Sequence, residues 1–261
     1  MKIYHYTTIE TLALILKNKT LRFNNAKLVD DLVEAITDDY GSMQDYVFIS
    51  CWSKNENESI PLWKIYGGNG HGVRLESDTK YINFEGTENP LNGIYKVVTN
   101  VKKQQDNHYF INVWQHKDSI NPYFITNYSD EKRIFKKEIS TAPQKSWEYQ
   151  IDSTFNTKHK EWSFEDEVRF ILLGCYLEEY EAKDNWQLVF NKITSKEHFS
   201  ADFVDLNLTD KFFENLKVTL GPLQSTAEKL LVESLISKYN PRIKLNNSRL
   251  QLRKKPSESC N

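Results

Sequence analysis

Apolar positions recur along the chain at two spacings, strand-like and helix-like, in short runs divided by polar breaks. Lys2-Ile3-Tyr4-His5-Tyr6-Thr7-Thr8 reads as a strand running straight into a helix. Thr7 and Glu10 have capping-box spacing, and Ile9, Leu12, Ile15 and Leu16 share one helical face. Thr20–Phe23 reads as a strand and Asn24–Lys27 as a loop. Asp30–Tyr40, carrying Leu32, Val33 and Ile36 on an acidic background, reads as a helix ending near Gly41. Tyr46–Ser53 is the clearest buried strand of the N-terminal half. Ser59 and the early Pro61 predict a short helix through Tyr66, with Trp63 and Tyr66 on one face. Gly67–Gly72 then leads into a strand, Val73–Glu76. A glycine cluster between helix and strand is first a turn needing positive φ; a phosphate cradle runs from strand into helix, the opposite order.

The middle, from about Lys80 to Lys160, is mixed. Ile94–Val98 reads as a strand and Tyr109–Trp114 as an amphipathic helix. Lys132, Arg133, Lys136 and Lys137 form a basic cluster, either a solvated helix face or a contact for a phosphate backbone. An extended chain from Glu165 puts Glu165, Glu167 and Arg169 on one face and Val168, Phe170 and Leu172 on the other. The first set then lines an accessible or cleft-facing side, or is a surface strand with a salt bridge from Arg169. Phe203–Leu206 and Val218–Leu220 read as strands around a short helix, Asp210–Asn215. Gly221-Pro222 turns into a helix with a Ser225/Glu228 capping box and a stripe of Ala227, Leu230, Leu231, Leu235 and Ile236. Arg242–Leu245 and Ser248–Leu252 close the chain, and residues 253–261 read as a flexible tail. Strands and helices without a regular βαβ rhythm predict an α+β fold over 1–261, two packed antiparallel sheets flanked by helices, with about 80–160 partly an insertion.

Composition narrows the classes. A net charge of -2 over 261 residues gives no global field toward nucleic acid or an anionic membrane, leaving only a local basic groove. No apolar run approaches the roughly 20 residues of a membrane span, and no signal peptide is evident, so a cytoplasmic protein with no membrane partner is expected. Cys51, Cys175 and Cys260 are isolated and lack metal-ligand spacing, and the six histidines are scattered, so no metal site is expected. Aromatic residues make up 13% of the chain, enough both to build a core and to stack on a ligand.

Three features carry chemistry: His5 at the end of the first strand beside a helix N-terminus, the rings of Trp52, Trp63 and Tyr66, and a Glu-x-Glu opening a late strand. His5 taken alone also fits a histidine hydrogen-bonded within a strand pair. Cleavage of a nicotinamide–ribose bond uses the whole set. A carboxylate stabilises positive charge growing on the anomeric carbon, and flat rings fix the leaving nicotinamide. A non-enzymatic module that stacks a nucleotide or single-stranded nucleic acid is the alternative from another class, and a metal-dependent nuclease is a third.

Tyr4-His5-Tyr6-Thr7-Thr8, Phe48-Ile49-Ser50-Cys51-Trp52-Ser53, Leu62-Trp63-Lys64-Ile65-Tyr66, Trp162-Ser163-Phe164-Glu165-Asp166-Glu167-Val168-Arg169 and Leu220-Gly221-Pro222 together resemble a widespread bacterial family of unassigned function, domain of unknown function 2971. The resemblance runs from the first strand to about Ser248, without a motif between about Lys80 and Lys160. That family in turn resembles the ADP-ribosyltransferase fold, in its diphtheria-toxin-like His-Tyr-Glu branch. The resemblance implies a cofactor site of His5, Tyr6, Thr7, Ser50, Trp52, Trp63 and Tyr66, with NAD as substrate. It places Glu167 at the catalytic glutamate and Glu165 two residues before it; Trp63 stands where a small residue is usual. It further implies transfer to a nucleic-acid or protein acceptor by a toxin or phage-defence effector, restrained by an antitoxin or sensor protein. With water as acceptor the same site is a NAD glycohydrolase.

Overall fold

Strand Lys2–Thr7 alternates Ile3, His5 and Thr7 with Tyr4 and Tyr6, and in the computed structural model it sits between other strands with both faces largely covered. The structure describes residues 1–82, 108–112, 123–141, 144–176 and 186–252, a mixed α+β arrangement with several sheets and few helices. Contacts divide the chain into two units: Met1–Thr20, Trp52–Asn83 and Leu208–Asn261 form one, and Leu21–Cys51 with Phe84–Asn207 the other. The strand expected over Ile94–Val98, the tail from Arg253 and Cys260 lie outside the described residues.

In the first unit Lys2–Thr7 pairs antiparallel with Val73–Asp78, which pairs antiparallel with Lys217–Leu220; Lys244–Asn246 joins in parallel. Tyr4 also lies opposite Ser53. The register fixes the faces. Tyr4 opposite Glu76 and Tyr6 opposite Arg74 share one, while Ile3, His5 and Thr7, opposite Ser77, Leu75 and Val73, share the other. Helix Ile9–Asn18 buries Leu12, Ile15 and Leu16 and packs on helix Thr226–Tyr239. Its cap is Thr8, whose hydroxyl accepts the Thr11 N–H at 3.2 Å, and not the expected Thr7, which is still paired with Val73 in the sheet. The capping box of Ser225 and Glu228 forms in both directions. The stripe of that helix differs from expectation: Val232 and Ile236, one turn apart, are buried, whereas Ala227, Leu230 and Leu231 are exposed.

Gly67–Gly72 is a turn, as the glycine spacing indicates, with Gly68 and Gly70 at φ 57 and 89. The N–H groups of Gly70, His71 and Gly72 return to the carbonyls of Gly67 and Gly68, so they do not form a phosphate cradle. Gly72 is required by close approach: a Cβ there would lie 2.2 Å from the Thr7 carbonyl oxygen.

In the second unit, residues 47–51 of strand Val47–Ser53 pair antiparallel with residues 21–25 of strand Thr20–Asn25, which borders Phe203–Asn207. Strand Glu167–Tyr176 pairs with Val47–Ser53 and runs antiparallel to His108–Asn112 and Phe124–Ile125. The segment expected as a helix from Tyr109 is therefore a strand, held by its pairing with Leu172–Tyr176. Phe135 is fully buried among Tyr149, Phe155 and Phe190, at 5.2, 5.6 and 5.7 Å between ring centroids.

Asp30–Tyr40 is not a helix. Asp31 Oδ1 accepts the Val33 N–H at 3.2 Å, and Ala35 is left-handed at φ 52, so the segment turns back on itself. The apolar stripe that suggested a helix points outward, with Leu32 and Val33 exposed, and the acidic Glu34 is the residue turned in. The basic cluster forms no helix face either. Arg133 is buried and donates to the Val33 carbonyl at 2.9 Å, Lys132 pairs with Asp38 at 3.5 Å, and Lys136 and Lys137 begin a hairpin strand, Lys136–Thr141. Replacing Gly72 with Ala is expected to lower stability by at least about 1–3 kcal/mol, the usual cost of an overpacked site. Urea denaturation measures it, and an unchanged midpoint would contradict the close approach.

Candidate functional site

The expected site residues divide between the two units. In the first unit, alternation along Lys2–Thr7 places His5 and Thr7 on the same face, as a His-x-Thr pattern requires, just ahead of the Thr8 cap. His5 is partly buried with its ring 5.1 Å from that of Trp52, and Trp52 in turn meets Phe212 edge-on at 6.4 Å. Tyr6 points the opposite way. Its hydroxyl accepts the Ser59 N–H at 3.0 Å and its ring meets Trp63 edge-on at 4.9 Å. Helix Ile60–Ile65 is thereby pinned at its Ser59 cap, and Tyr66, the residue after its last turn, packs half-buried on Tyr6, Leu62 and Trp63.

The three rings expected to clamp a ligand thus separate. Tyr66 and Trp63 lie with Tyr6 on one face of the sheet, and Trp52 lies with His5 on the other. Trp63 is fully enclosed, its indole N–H donating to Glu58 Oε2 at 3.0 Å, and it buttresses Tyr6 and Tyr66 without presenting a wall to a ligand. Trp52 is also buried, as are Tyr6 and Thr7. Tyr66 is the ring of this set that keeps appreciable exposure.

Glu165, Glu167 and Ser50 belong to the second unit, and all three are buried. The strand begins at Glu167; Glu165 ends the 3-10 turn Lys160–Glu165, and Asp166 between them is left-handed at φ 48. In place of an accessible or cleft-facing side, or a surface strand, Glu165, Glu167 and Arg169 turn into a desolvated ionic cluster. Arg169, 1% exposed, donates from Nε to Glu167 Oε1 and from Nη2 to Glu167 Oε2, both at 3.1 Å, and from Nη2 to Glu34 Oε1 at 2.8 Å. Lys158 Nζ lies 2.6 Å from Glu165 Oε2, 3.6 Å from Glu34 and 3.7 Å from Glu167. The Trp162 ring covers the Lys158 ammonium at 4.5 Å from its centroid, and the Tyr128 hydroxyl accepts the Glu167 N–H at 2.8 Å.

Three carboxylates, Glu34, Glu165 and Glu167, thus share two cations, Lys158 and Arg169. Negative charge is least favoured on Glu34. Burial pushes its carboxyl up by more than Arg169 draws it down, and its Oε2 has no hydrogen-bond partner among the described residues. For Glu167 burial acts in the same sense, but Arg169, Lys158 and hydrogen bonds from Arg169 and the Cys51 thiol outweigh it and hold the group below the usual carboxylate range. Burial opposes the Lys158 ammonium, and Glu167, Glu34 and Glu165 more than offset it, so its pKa rises. Desolvation, then the Glu167 charge, pushes the Cys51 thiol well up, so it is a neutral donor and no nucleophile. A carboxylate held this way acts through its charge; it is not a proton acceptor.

Among the described residues, no three His, Cys, Asp or Glu side chains are grouped to hold a metal ion. Lys158 and Arg169 occupy the places a cation would take among the carboxylates. Nor is any described helix long and apolar enough to cross a membrane.

Residues 62–170 match the model of a family described as Protein of unknown function (DUF2971). The matched stretch begins at the Leu62-Trp63 helix and ends just past Arg169, so it runs through the middle segment, where the sequence motifs were silent, and takes in Lys158, Glu165 and Glu167. It leaves out Tyr4–Thr8, Phe48–Ser53 and Leu220-Gly221-Pro222. No curated protein and no solved structure matches the chain.

Sequence reasoning missed Glu34 and Lys158. Glu34 sits in a turn with no period to mark it. Lys158 lies seven residues before Glu165, and the only signal was its membership of the same charged run.

The cluster has a pH signature. Glu167, with its pKa lowered by folding, adds stability that is present above the unfolded value and lost as pH falls through the folded one. Glu34, with its pKa raised, works in the opposite sense: its contribution is intact below the unfolded value and is lost as pH rises toward the folded one. Accordingly Glu34→Gln, which keeps an acceptor for Arg169 and removes the surplus charge, is expected to stay within about 1 kcal/mol of wild type at neutral pH. Arg169→Met, which strands two carboxylates, is expected to cost about 3–5 kcal/mol. Denaturant titrations compare them, and equal losses would contradict the charge assignment.

Proposed function

We propose that the chain is a NAD-dependent mono-ADP-ribosyltransferase acting on a macromolecular acceptor, nucleic acid or protein. The observation that carries this reading is Glu167: a carboxylate at the head of a strand, kept ionised and oriented by the two-point grip of Arg169. When the bond from the ribose anomeric carbon to nicotinamide breaks, the bonding pair leaves with nicotinamide and the ribose carries positive charge. A fixed anion favours that charge without reorganising. Glu165 orients the acceptor, which forms its bond to the anomeric carbon as the bond to nicotinamide breaks and gives its proton to water. His5 and Thr7, on one face at the end of the first strand, anchor the dinucleotide. Trp52, buried beside His5, supports that ring, and Trp63, buried under Tyr66, supports it in the same way.

A second reading is favoured by one observation, the low exposure of Glu165 and Glu167, which suits a structural cluster in a non-enzymatic nucleotide- or nucleic-acid-binding module. One experiment separates them. Wild type and Glu167→Gln are incubated with labelled NAD and candidate acceptors, at a temperature where circular dichroism shows both folded. The transferase reading expects nicotinamide release with label transfer, and a loss of about 10²–10³-fold in the variant. Release without transfer identifies water as the acceptor and makes the protein a glycohydrolase. If wild type neither binds NAD nor releases nicotinamide, the enzymatic reading is wrong. Binding abolished by Tyr66→Ala and untouched by Glu167→Gln, with no turnover, supports the module.

A further inference from the structure

The Tyr4 and Tyr6 face of the first unit's sheet holds a cation that the foregoing chemistry does not use. Arg74 is 4% exposed, and among the described residues no carboxylate lies within ion-pair distance of it. Its guanidinium carbon sits 4.5 Å from the Tyr4 ring centroid and 5.8 Å from that of Tyr6. Among the described residues one hydrogen bond holds it, from Nη1 to the Glu56 carbonyl at 3.0 Å, and Nε is buried with no partner. Tyr4, 1% exposed, has a buried hydroxyl that is likewise without one.

The acids on this face are committed elsewhere. Glu76, opposite Tyr4, pairs with Lys217 at 2.6 Å, and the Glu56 carboxylate faces Lys2 at 3.7 Å. Glu58 accepts from the Trp63 indole, from the Ser248 hydroxyl at 2.5 Å and from the Arg249 N–H at 2.7 Å. A charge removed from water is normally paired and fully hydrogen-bonded, because leaving it otherwise costs several kcal/mol. Two tyrosine faces offset part of that cost and supply no anion. Burial, and then Glu76 and Glu56, push the Tyr4 hydroxyl up to about 12, so it stays a protonated donor.

We propose that Arg74 and Tyr4 form a binding site for a phosphate oxyanion, the guanidinium fork and the phenol donating to its oxygens, and that the phosphate belongs to a nucleotide. The nucleotide assignment rests on the neighbourhood: Tyr6, against which Arg74 lies, also packs on the group that holds Tyr66, a half-buried ring on the same face as the guanidinium. The site requires no turnover and stands apart from the role given to Glu167.

Isothermal titration of the full chain with inorganic pyrophosphate, and separately with ADP, tests it. Saturable binding of both is expected, with Arg74→Gln weakening each by about tenfold to a hundredfold, the range for a hydrogen bond to a charged group. Tyr4→Phe provides the control against misfolding. Its hydroxyl has no partner in the fold, so the variant keeps the wild-type melting temperature or gains on it, while phosphate binding falls. Tyr66→Ala should weaken ADP and leave pyrophosphate unchanged; equal weakening of both would overturn the assignment of the phosphate to a nucleotide. No saturable binding, or binding indifferent to both Arg74→Gln and Tyr4→Phe, would overturn the site. A destabilised Tyr4→Phe would overturn it too, by showing that the hydroxyl serves the fold. Binding lost in Arg74→Gln but kept in Glu167→Gln, without NAD turnover, would support the site and count against the transferase reading alone.

Discussion

Arg169 is the constraint on which the second unit's charged interior depends. A guanidinium this deeply enclosed is tolerated because each of its three nitrogens finds an acceptor, in four bonds: two to Glu167, one to Glu34 and a fourth, at 3.3 Å, to the Phe155 carbonyl. Two of those partners come from other elements of the chain. Glu167 opens the strand that carries Arg169, Glu34 comes from the turn after Ala26–Leu28, and Phe155 ends a short helix. One side chain therefore ties three segments together, and it does so directionally, which hydrophobic contact cannot.

That arrangement also decides what Glu167 can be chemically. An isolated buried glutamate would take a proton and become an acid; this one is held ionised by the charges facing it, and negative charge is least favoured on Glu34. The same reasoning, applied to the first unit, separates what is saturated from what is not. Glu58 gathers three donors and Tyr6 bridges a helix cap, while Arg74 and Tyr4, equally buried, retain donors with nothing to receive them. Buried polar groups that the fold leaves unsatisfied are where a ligand is most easily accommodated.

Local signals in the sequence were reliable where one period or one cap decides the structure. The Ser225/Glu228 box, the Asp210–Asn215 helix, the Val47–Ser53 strand and the glycine turn are all present in the fold. They failed where a long-range partner outweighs local pattern. Leu32, Val33 and Ile36 mimic a helical stripe, yet Glu34 is pulled inward by Arg169, and an Asx turn at Asp31 with a left-handed Ala35 replaces the helix. The segment from Tyr109 is a strand because Leu172–Tyr176 pairs with it. Within the site, the face of Glu167 and Arg169 follows from alternation, but no spacing in one chain says whether that face meets water or Glu34 and Lys158. The opposite orientations of His5 and Tyr6 were legible from strand periodicity, whereas the gathering of Trp63 and Tyr66 on the Tyr6 side needed the packing of a separate helix.

The most direct test of this electrostatic account is a carbon-detected NMR titration of the glutamate carboxyl groups, assigned through Glu34→Gln and Glu167→Gln. The account predicts that the Glu167 signal remains that of a carboxylate as pH falls through the ordinary glutamate midpoint of about 4.3, while Glu34 takes up its proton at a pH above it. If the two signals titrate together at the ordinary midpoint, or in the reverse order, the Arg169 cluster does not set the charge of Glu167 and the account fails.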